Sequence, residues 1–257
     1  MDKIHAISGM IVQSKRVVVF TGAGISTESG VSDFRSPGGI WDRFDPSELN
    51  YQSFMASEEG REKYWDFSRQ LWPTVAEAKP NPGHYAIAEL HHLGKLDCVI
   101  TQNIDSLHQK SGVPEERVIE LHGTLRWVNC LECGQRYPRE QIQARLDSRI
   151  KVPRCDSCGG ILKPATVAFG QPMPAQETHQ AEVRAAACDL FLAVGSSLVV
   201  YRAAQMPLIA KDNGAKLIII NLTPTPHDRY ADIVINEKTG EALSQIVAQV
   251  KARLKGD

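Results

Sequence analysis

The chain has 257 residues, 42% of them hydrophobic, and 29 basic residues against 30 acidic ones leave a formal net charge of −1. That length and apolar content suffice to bury one large domain with insertions, which excludes a disordered chain. The charge balance offers no global field for nucleic acid or an anionic membrane, and no apolar run approaches the roughly 20 residues needed to cross a bilayer.

The opening Met1-Asp2-Lys3-Ile4-His5 lacks a secretory signal pattern, so a cytoplasmic location is expected. Ile4, Ile7, Ile11 and Val12 share one helical face, which predicts an amphipathic helix over 3–15. The β-branched run Arg16-Val17-Val18-Val19-Phe20 reads as a strand, and the residues from Thr21 onward as a glycine loop that opens a helix. Gly22 and Gly24 permit positive φ and leave no Cβ between the backbone and a phosphate, and the amides that follow can receive an anion at a helix N-terminus. The glycines alone fit a tight turn without a ligand equally well. The G-x-G-x-x-G dinucleotide fingerprint is also incomplete, because Thr27 stands where its last glycine belongs.

Residues 36–50, rich in Gly, Pro and Asp around Trp41 and Phe44, read as an ordered but movable loop over the glycine turn. The aromatics Phe54, Tyr64, Trp65, Phe67 and Trp72 predict a small helical insertion over 53–77, its stripe serving as core. A helix is predicted near 82–93, with strands at 97–101 and 117–121. Further strands are predicted at 166–169, 189–194, 216–221 and 232–235, alternating with helices at 175–187, 203–213 and 240–254. Such alternation predicts an α/β fold, a doubly wound parallel, Rossmann-like sheet. Gly22, Gln102, His122, Gly195 and Asn221 would then share one cleft at the carboxyl ends of its strands.

Cys130-x-x-Cys133 and Cys155-x-x-Cys158 each sit by a turn glycine, Gly134 and Gly159, the spacing of two zinc knuckles. Four thiolates complete a tetrahedron, so one structural zinc ion is predicted and no open position for water. Cys98 and Cys188 stand singly in apolar contexts and read as core. The arms of the ribbon mix Arg126, Arg136, Arg139, Arg145, Arg149, Lys151 and Arg154 with Glu132, Glu140, Asp147 and Asp156, a solvated surface and not a nucleic-acid patch.

His122 follows a strand and precedes Gly123, so its ring can face the cleft; an imidazole there is either structural or a base that takes a proton from a hydroxyl. Gln102, Asn103 and Asp105 put three polar groups in four residues after a strand, more than a helix cap needs. Gly195-Ser196-Ser197 repeats the pattern of small residues at a strand end, with hydroxyls free for phosphate or ribose, and Asn221 closes the run Leu217–Ile220.

The blocks Gly22-Ala23-Gly24-Ile25-Ser26, Asp33-Phe34-Arg35, Thr101-Gln102-Asn103-Ile104-Asp105 and His122-Gly123, in this order along nearly the whole chain, resemble the signature of sirtuins, NAD-dependent protein-lysine deacylases. The resemblance implies an NAD site built from Gly22, Ala23, Gly24, Thr27, Asp33, Phe34, Arg35, Gln102, Asn103, Ile104, Asp105, Gly195, Ser196, Ser197, Asn221, Leu222 and Thr239. It implies that Phe34 covers the sugar face, Arg35 the phosphate side, and Ile104 with Asp105 the nicotinamide carboxamide. His122 is implied as general base, with Asn103 beside it. The acyl-lysine oxygen would attack the anomeric carbon, nicotinamide would leave, and His122 would activate a ribose hydroxyl onto the resulting imidate. The acyl-lysine protein or peptide would pair as a strand with Val167, Phe169, Gly170 and Val199.

The resemblance also implies one catalytic domain: a Rossmann-like part over 1–35, 78–123 and 164–257, a helical, cofactor-loop insertion over 36–77 and a zinc ribbon over 124–163. Three positions depart from the common pattern: Ser32 and Arg202, where proline is usual, and Gln171, where glutamate is. Sirtuins that prefer succinyl or malonyl lysine carry a Tyr-x-x-Arg pair where this chain has Trp65-Asp66-Phe67-Ser68-Arg69; only Arg69 matches, so an uncharged acyl group is expected. Two rival readings share the NAD site: a protein mono-ADP-ribosyltransferase, and a non-catalytic NAD-sensing or zinc-ribbon interaction module.

Overall fold

Val17 and Val19 bury themselves in one hydrophobic cluster, Val18 and Phe20 in another, so the first strand is covered on both faces. The computed structural model describes residues 2–33 and 38–256. Its strand β1 (Val17–Thr21) lies in a six-stranded sheet with β2 (Leu96–Thr101) and β3 (Val118–Glu120) on one side. On the other side run β7 (Leu190–Val194), β8 (Lys216–Ile220) and β9 (Ile233–Ile235). Every pairing is parallel. The order β3-β2-β1-β7-β8-β9 changes direction between β1 and β7, where the following loops part and leave a crevice at the carboxyl ends.

One face of the sheet is covered by α1 (Lys3–Gln13), α4 (Pro82–His92) and α9 (Thr239–Lys255). Ile7 and Ile11, Ile87 and Leu90, and Leu243, Ile246 and Val250 repeat at helical spacing and are all fully buried there. Side chains of this size each contribute about 1.5–3 kcal/mol on burial. Asp2 caps α1 by accepting from Ile4 N–H at 3.0 Å, and Asn81 and His84 form a capping box at the start of α4. The other face carries α7 (Ala175–Ala187) and α8 (Met206–Asp212), whose Ala181, Ala185, Met206 and Ala210 pack with Cys98 and Cys188. Both cysteines are core residues, as expected.

The helical insertion is present as α2 (Tyr51–Ala56) and α3 (Glu58–Glu77). A short helix α5 (Leu107–Lys110) follows β2. The ribbon consists of β4 (Gly123–Cys130), β5 (Arg136–Pro138), α6 (Arg139–Asp147) and β6 (Leu162–Thr166), its strands forming an antiparallel sheet in the order β5-β4-β6. The two insertions share one core: Phe54, Tyr64 and Trp65 pack with Val128, Tyr137, Ile142 and Leu162. Arg139 of α6 is fully buried, its guanidinium 5.8 and 5.3 Å from the Trp65 and Trp72 rings and 3.1 Å from the Ser68 carbonyl.

Two expectations need correction. The strand read at 166–169 is not part of the parallel sheet: Thr166 ends β6 of the small antiparallel sheet, and 167–169 belongs to no named strand. A short apolar run does not declare which sheet it joins. The glycine loop also opens no α-helix. It makes two single 3₁₀ turns, Ala23–Ile25 and Thr27–Ser29, closed by Gly30 at φ 81°.

Candidate functional site

The crevice floor is where β1 and β7 end. Gly22 N–H donates to the Val194 carbonyl at 3.1 Å and Gly24 N–H to the Gly195 carbonyl at 2.8 Å, drawing the two loops together. A Cβ on Gly22 would stand 2.8 Å from the Gly195 oxygen and 2.9 Å from Ser196 Cβ, and one on Gly24 2.8 Å from the same oxygen. Glycine is therefore required by close approach. Neither residue has a positive φ, so the conformational reason read from sequence is replaced by a steric one. Gly195, at φ 60°, does use the left-handed region.

Buried hydroxyls and amides line the crevice behind this floor. Thr21 Oγ1 donates to Thr101 Oγ1 at 2.8 Å and lies 2.9 Å from His108 Nε2. Thr101 Oγ1 accepts from Asn103 N–H at 3.0 Å, which turns the chain after β2 into the crevice. Asn103 Nδ2 reaches both the Gly22 carbonyl and Ser26 Oγ at 3.1 Å, and Ser26 Oγ donates to Asp105 Oδ2 at 2.7 Å. Burial pushes the Asp105 carboxyl up, against the bonds it accepts from Leu107 N–H and the Ser26 hydroxyl. The loops after β1 and β2 are thus one hydrogen-bonded unit.

His122 lies two residues beyond β3 with its Nδ1 2.9 Å from the Gln102 carbonyl. A carbonyl only accepts, so the proton sits on Nδ1 and Nε2 keeps its lone pair. Burial lowers the imidazole's pKa, opposed by that backbone bond. Gln102 also donates from Nε2 to Ser196 Oγ at 2.9 Å, which joins the β2 loop to the β7 loop. Val167 N–H donates to the His122 carbonyl at 2.8 Å, so the segment after β6 begins at the histidine itself.

Of the remaining candidates, Ala23, Thr27, Ile104, Ser197 and Leu222 stand in loops that follow strands of the parallel sheet. Ala23 and Ile104 are half-buried, Thr27 donates to the Gly24 carbonyl at 3.0 Å, and the Asp33 carbonyl accepts from Ile40 N–H at 2.9 Å. Ser197 and Leu222 are exposed, while the Asn221 side-chain amide is turned to the Thr223 carbonyl at 2.7 Å. Thr239 is buried at the start of α9, its hydroxyl 3.5 Å from Glu28 Oε1, which also accepts from Gly240 N–H at 3.0 Å. Phe34 and Arg35 lie outside the described residues. Phe169 and Val199 are exposed, Gly170 has φ 75°, and Tyr51 N–H donates to the Phe169 carbonyl at 2.8 Å.

Sequence reading missed Thr21, Asn81, His84 and His108, the buried support of the site. Asn81 Nδ2 donates to the Ile25 carbonyl at 2.7 Å and so ties the glycine loop to the start of α4. A threonine closing each of two apolar strands was the available signal for part of this network. Glu28 carried no such signal.

The four thiols of Cys130, Cys133, Cys155 and Cys158 lie within 4.8 Å of one another. Gly134 N–H and Gly159 N–H close the two knuckles on the Cys130 and Cys155 carbonyls at 3.1 and 2.9 Å. The Tyr137 hydroxyl lies 3.2 Å from Cys155 Sγ. This donor set fits one structural zinc ion with no ligand position left over.

The polar groups of the crevice likewise fit a dinucleotide: hydroxyls, amides and a carboxylate stand at successive strand ends, beside two loops that only glycine lets meet. A family model described as the Sir2 family matches residues 22–202. A protein of Bradyrhizobium diazoefficiens named NAD-dependent protein deacetylase 1 is 47% identical, over 95% of this chain and 95% of its own length. One of Archaeoglobus fulgidus named NAD-dependent protein deacylase 2 is 44% identical, over 100% of this chain and 99% of its own. A solved Sir2 structure described with a deacetylated p53 peptide and 3'-O-acetyl ADP ribose superposes with a TM-score of 0.90 at 35% identity, covering 96% of this chain and 98% of that one.

Proposed function

The chain belongs to the Sir2 family, the sirtuins, and from that premise we propose how its residues divide the work. The protein is an NAD-dependent protein-lysine deacetylase or deacylase, which moves the acyl group from lysine to ADP-ribose and releases nicotinamide. NAD, when bound, supplies the electrophilic sugar carbon and the nicotinamide leaving group. The observation that carries the proposal is the Nδ1 bond of His122 to the Gln102 carbonyl at 2.9 Å. It leaves Nε2 as the base that takes the proton of a ribose hydroxyl, and the lowered pKa keeps that nitrogen unprotonated at neutral pH.

Asn103 orients the sugar side of the site, held to Gly22 and Ser26. Asp105 accepts from the carboxamide of nicotinamide through a carboxylate already oriented by Ser26, and repels nicotinic acid by like charge. Gly22, Ala23, Gly24 and Thr27, with Gly195, Ser196 and Ser197 facing them, receive the phosphates and adenosine ribose. Asn221, Leu222 and Thr239 form the outer edge. Asp33, Phe34 and Arg35 belong to the same reading by motif.

The substrates are acyl-lysine proteins or peptides, pairing as a strand with Val167, Phe169, Gly170 and Val199. An uncharged acyl group is preferred, because Arg69 is already paired with Asp66 at 3.0 Å and that carboxylate also accepts from Gln70 at 2.8 Å. The ribbon and α2–α3 form the smaller part and the parallel sheet with its helices the larger, with the ribbon extended to the end of β6 at Thr166. A cytoplasmic location fits thiols gathered for a metal and not paired as disulfides. Nucleic acid is not a partner in this reading, given the net charge of −1.

The test is to incubate the protein with NAD and an acetyl-lysine peptide and follow peptide mass and nicotinamide release, with His122→Ala as control. Loss of acetyl matched by O-acetyl-ADP-ribose in the wild type alone is the expected result. ADP-ribose left on the peptide or on the protein would instead select the transferase.

A further inference from the structure

Leu198 and Arg202 enclose Val199-Val200-Tyr201 between two left-handed residues, φ 54° and 66°. A side chain with a Cβ takes such a conformation at a cost, and it persists where the surroundings impose it. At Arg202 ψ is −59°, and Ala203 N–H donates to the Tyr201 carbonyl at 3.0 Å, which makes the rarer, strained form of γ-turn. Proline, fixed near φ of about −65°, is incompatible with this turn. The departure noted in the sequence therefore has a conformational consequence as well as a charge.

The segment starts at the reactive centre. Ser196 Oγ accepts from Gln102 Nε2 at 2.9 Å and from Leu198 N–H at 3.3 Å, while the Gln102 carbonyl holds His122. From there Val199 is 53% exposed and Tyr201 81%. Among the described residues, the Tyr201 hydroxyl, the Arg202 guanidinium and the Val199 N–H have no hydrogen-bond or ion-pair partner. The other segment leaving His122, residues 167–171, carries no charged side chain, and Gln171 Oε1 is occupied by Ala168 N–H at 3.1 Å. Of the ten residues in the two segments, 167–171 and 198–202, Arg202 alone is charged.

We propose that Arg202, presented beside Tyr201, makes the enzyme favour acyl-lysine peptides with a carboxylate within two residues of the modified lysine, on the flank that lies along 199–202. This rests on the reading of Val167, Phe169, Gly170 and Val199 as the substrate-pairing segments. Backbone pairing is blind to sequence, so selectivity has to come from side chains at the rim. An exposed cation attracts a carboxylate and repels a lysine, modestly and in a salt-dependent way.

The test uses acetyl-lysine peptides with Glu, Ala or Lys at each of the two positions on either side, assayed with saturating NAD. Each variant is judged by its own ratio of kcat/KM values. The wild type should prefer Glu over Lys by about three- to ten-fold on one flank only, through KM, and the ratio should shrink at high salt. Arg202→Ala should bring it near one, and Arg202→Glu should invert it. Turnover of the alanine peptide with no Glu preference, or a preference that Arg202→Glu leaves in place, overturns the proposal while the deacylase site stands. Failure to turn over any peptide overturns the site reading and this inference with it.

Discussion

His122 Nδ1 and the Gln102 carbonyl, 2.9 Å apart, leave Nε2 as the imidazole nitrogen with a free lone pair, and the same glutamine's side chain ties β2's loop to Ser196. One residue therefore sets the His122 tautomer and joins the loops after β2 and β7. His122→Ala should abolish deacylation while NAD still binds. Because burial lowers the His122 pKa, the unprotonated base persists below the ordinary histidine range, and the acid limb of kcat/KM should fall below pH of about 6.5. A pH–rate profile with its acid limb above that value would remove His122 as the base.

Asp105 is held by Ser26 Oγ and Leu107 N–H at 2.7 and 2.9 Å. Asp105→Asn keeps the shape but sets an N–H₂ against one of those two donors. Nicotinamide exchange should drop by about 10- to 100-fold, as for loss of a hydrogen bond to a charged group, and discrimination against nicotinic acid should weaken. Isotope exchange with each ring compound measures both.

Gly22→Ala and Gly24→Ala should each lose NAD affinity and destabilise the fold by about 1–3 kcal/mol, since the new methyl meets the Gly195 backbone at 2.8 Å. Thermal melts with and without NAD separate the two losses. Gly30→Ala, at φ 81° with open space around it, should cost only the backbone strain and leave NAD affinity intact.

His84 is buried and neutral, its pKa brought down by burial to about 4. Unfolded histidine takes up a proton near pH of about 6.5, so the unfolded state binds more protons between these values. Stability from this residue is complete above about 6.5 and lost as the pH falls towards 4; the gap corresponds to about 3 kcal/mol. Denaturant melts at pH about 7 and about 5 should show the loss, reduced in His84→Gln. Equal acid sensitivity in the two proteins would assign it elsewhere.

Chelation of the metal should release one zinc per chain and loosen α3 as well as the ribbon, because Tyr64 and Trp65 share the ribbon's core. Cys155→Ser should do the same. Hydrogen exchange of α3 amides is the measurement. Protection of α3 unchanged after zinc loss would show the two insertions to be independent.

The parallel sheet was legible because its strands are β-branched runs that end in polar residues, and a buried strand needs little else. The knuckles were legible from spacing alone. What was not legible depends on distances between segments far apart in the chain. Gly22 and Gly24 announce freedom of φ, but Gly195, some 170 residues later, is what demands them. Thr166 reads as the start of a strand and ends one, because the antiparallel partner Gly123 claims it. His84 and His108, with ring centroids 5.1 Å apart, have no local pattern; they meet only because α4 and α5 both pack beneath the crevice.

Arg139, lodged against Trp65 and Trp72 and bonded to the Ser68 carbonyl, bears on how the family could be recombined. A ribbon transplanted from another sirtuin would bring its own residue 139 to a pair of tryptophans chosen for this guanidinium. The helical insertion and the ribbon are separate in sequence but share one core, so they should exchange as one cassette. Chimeras that swap them together should express and fold, and those that swap either alone should be lost to proteolysis.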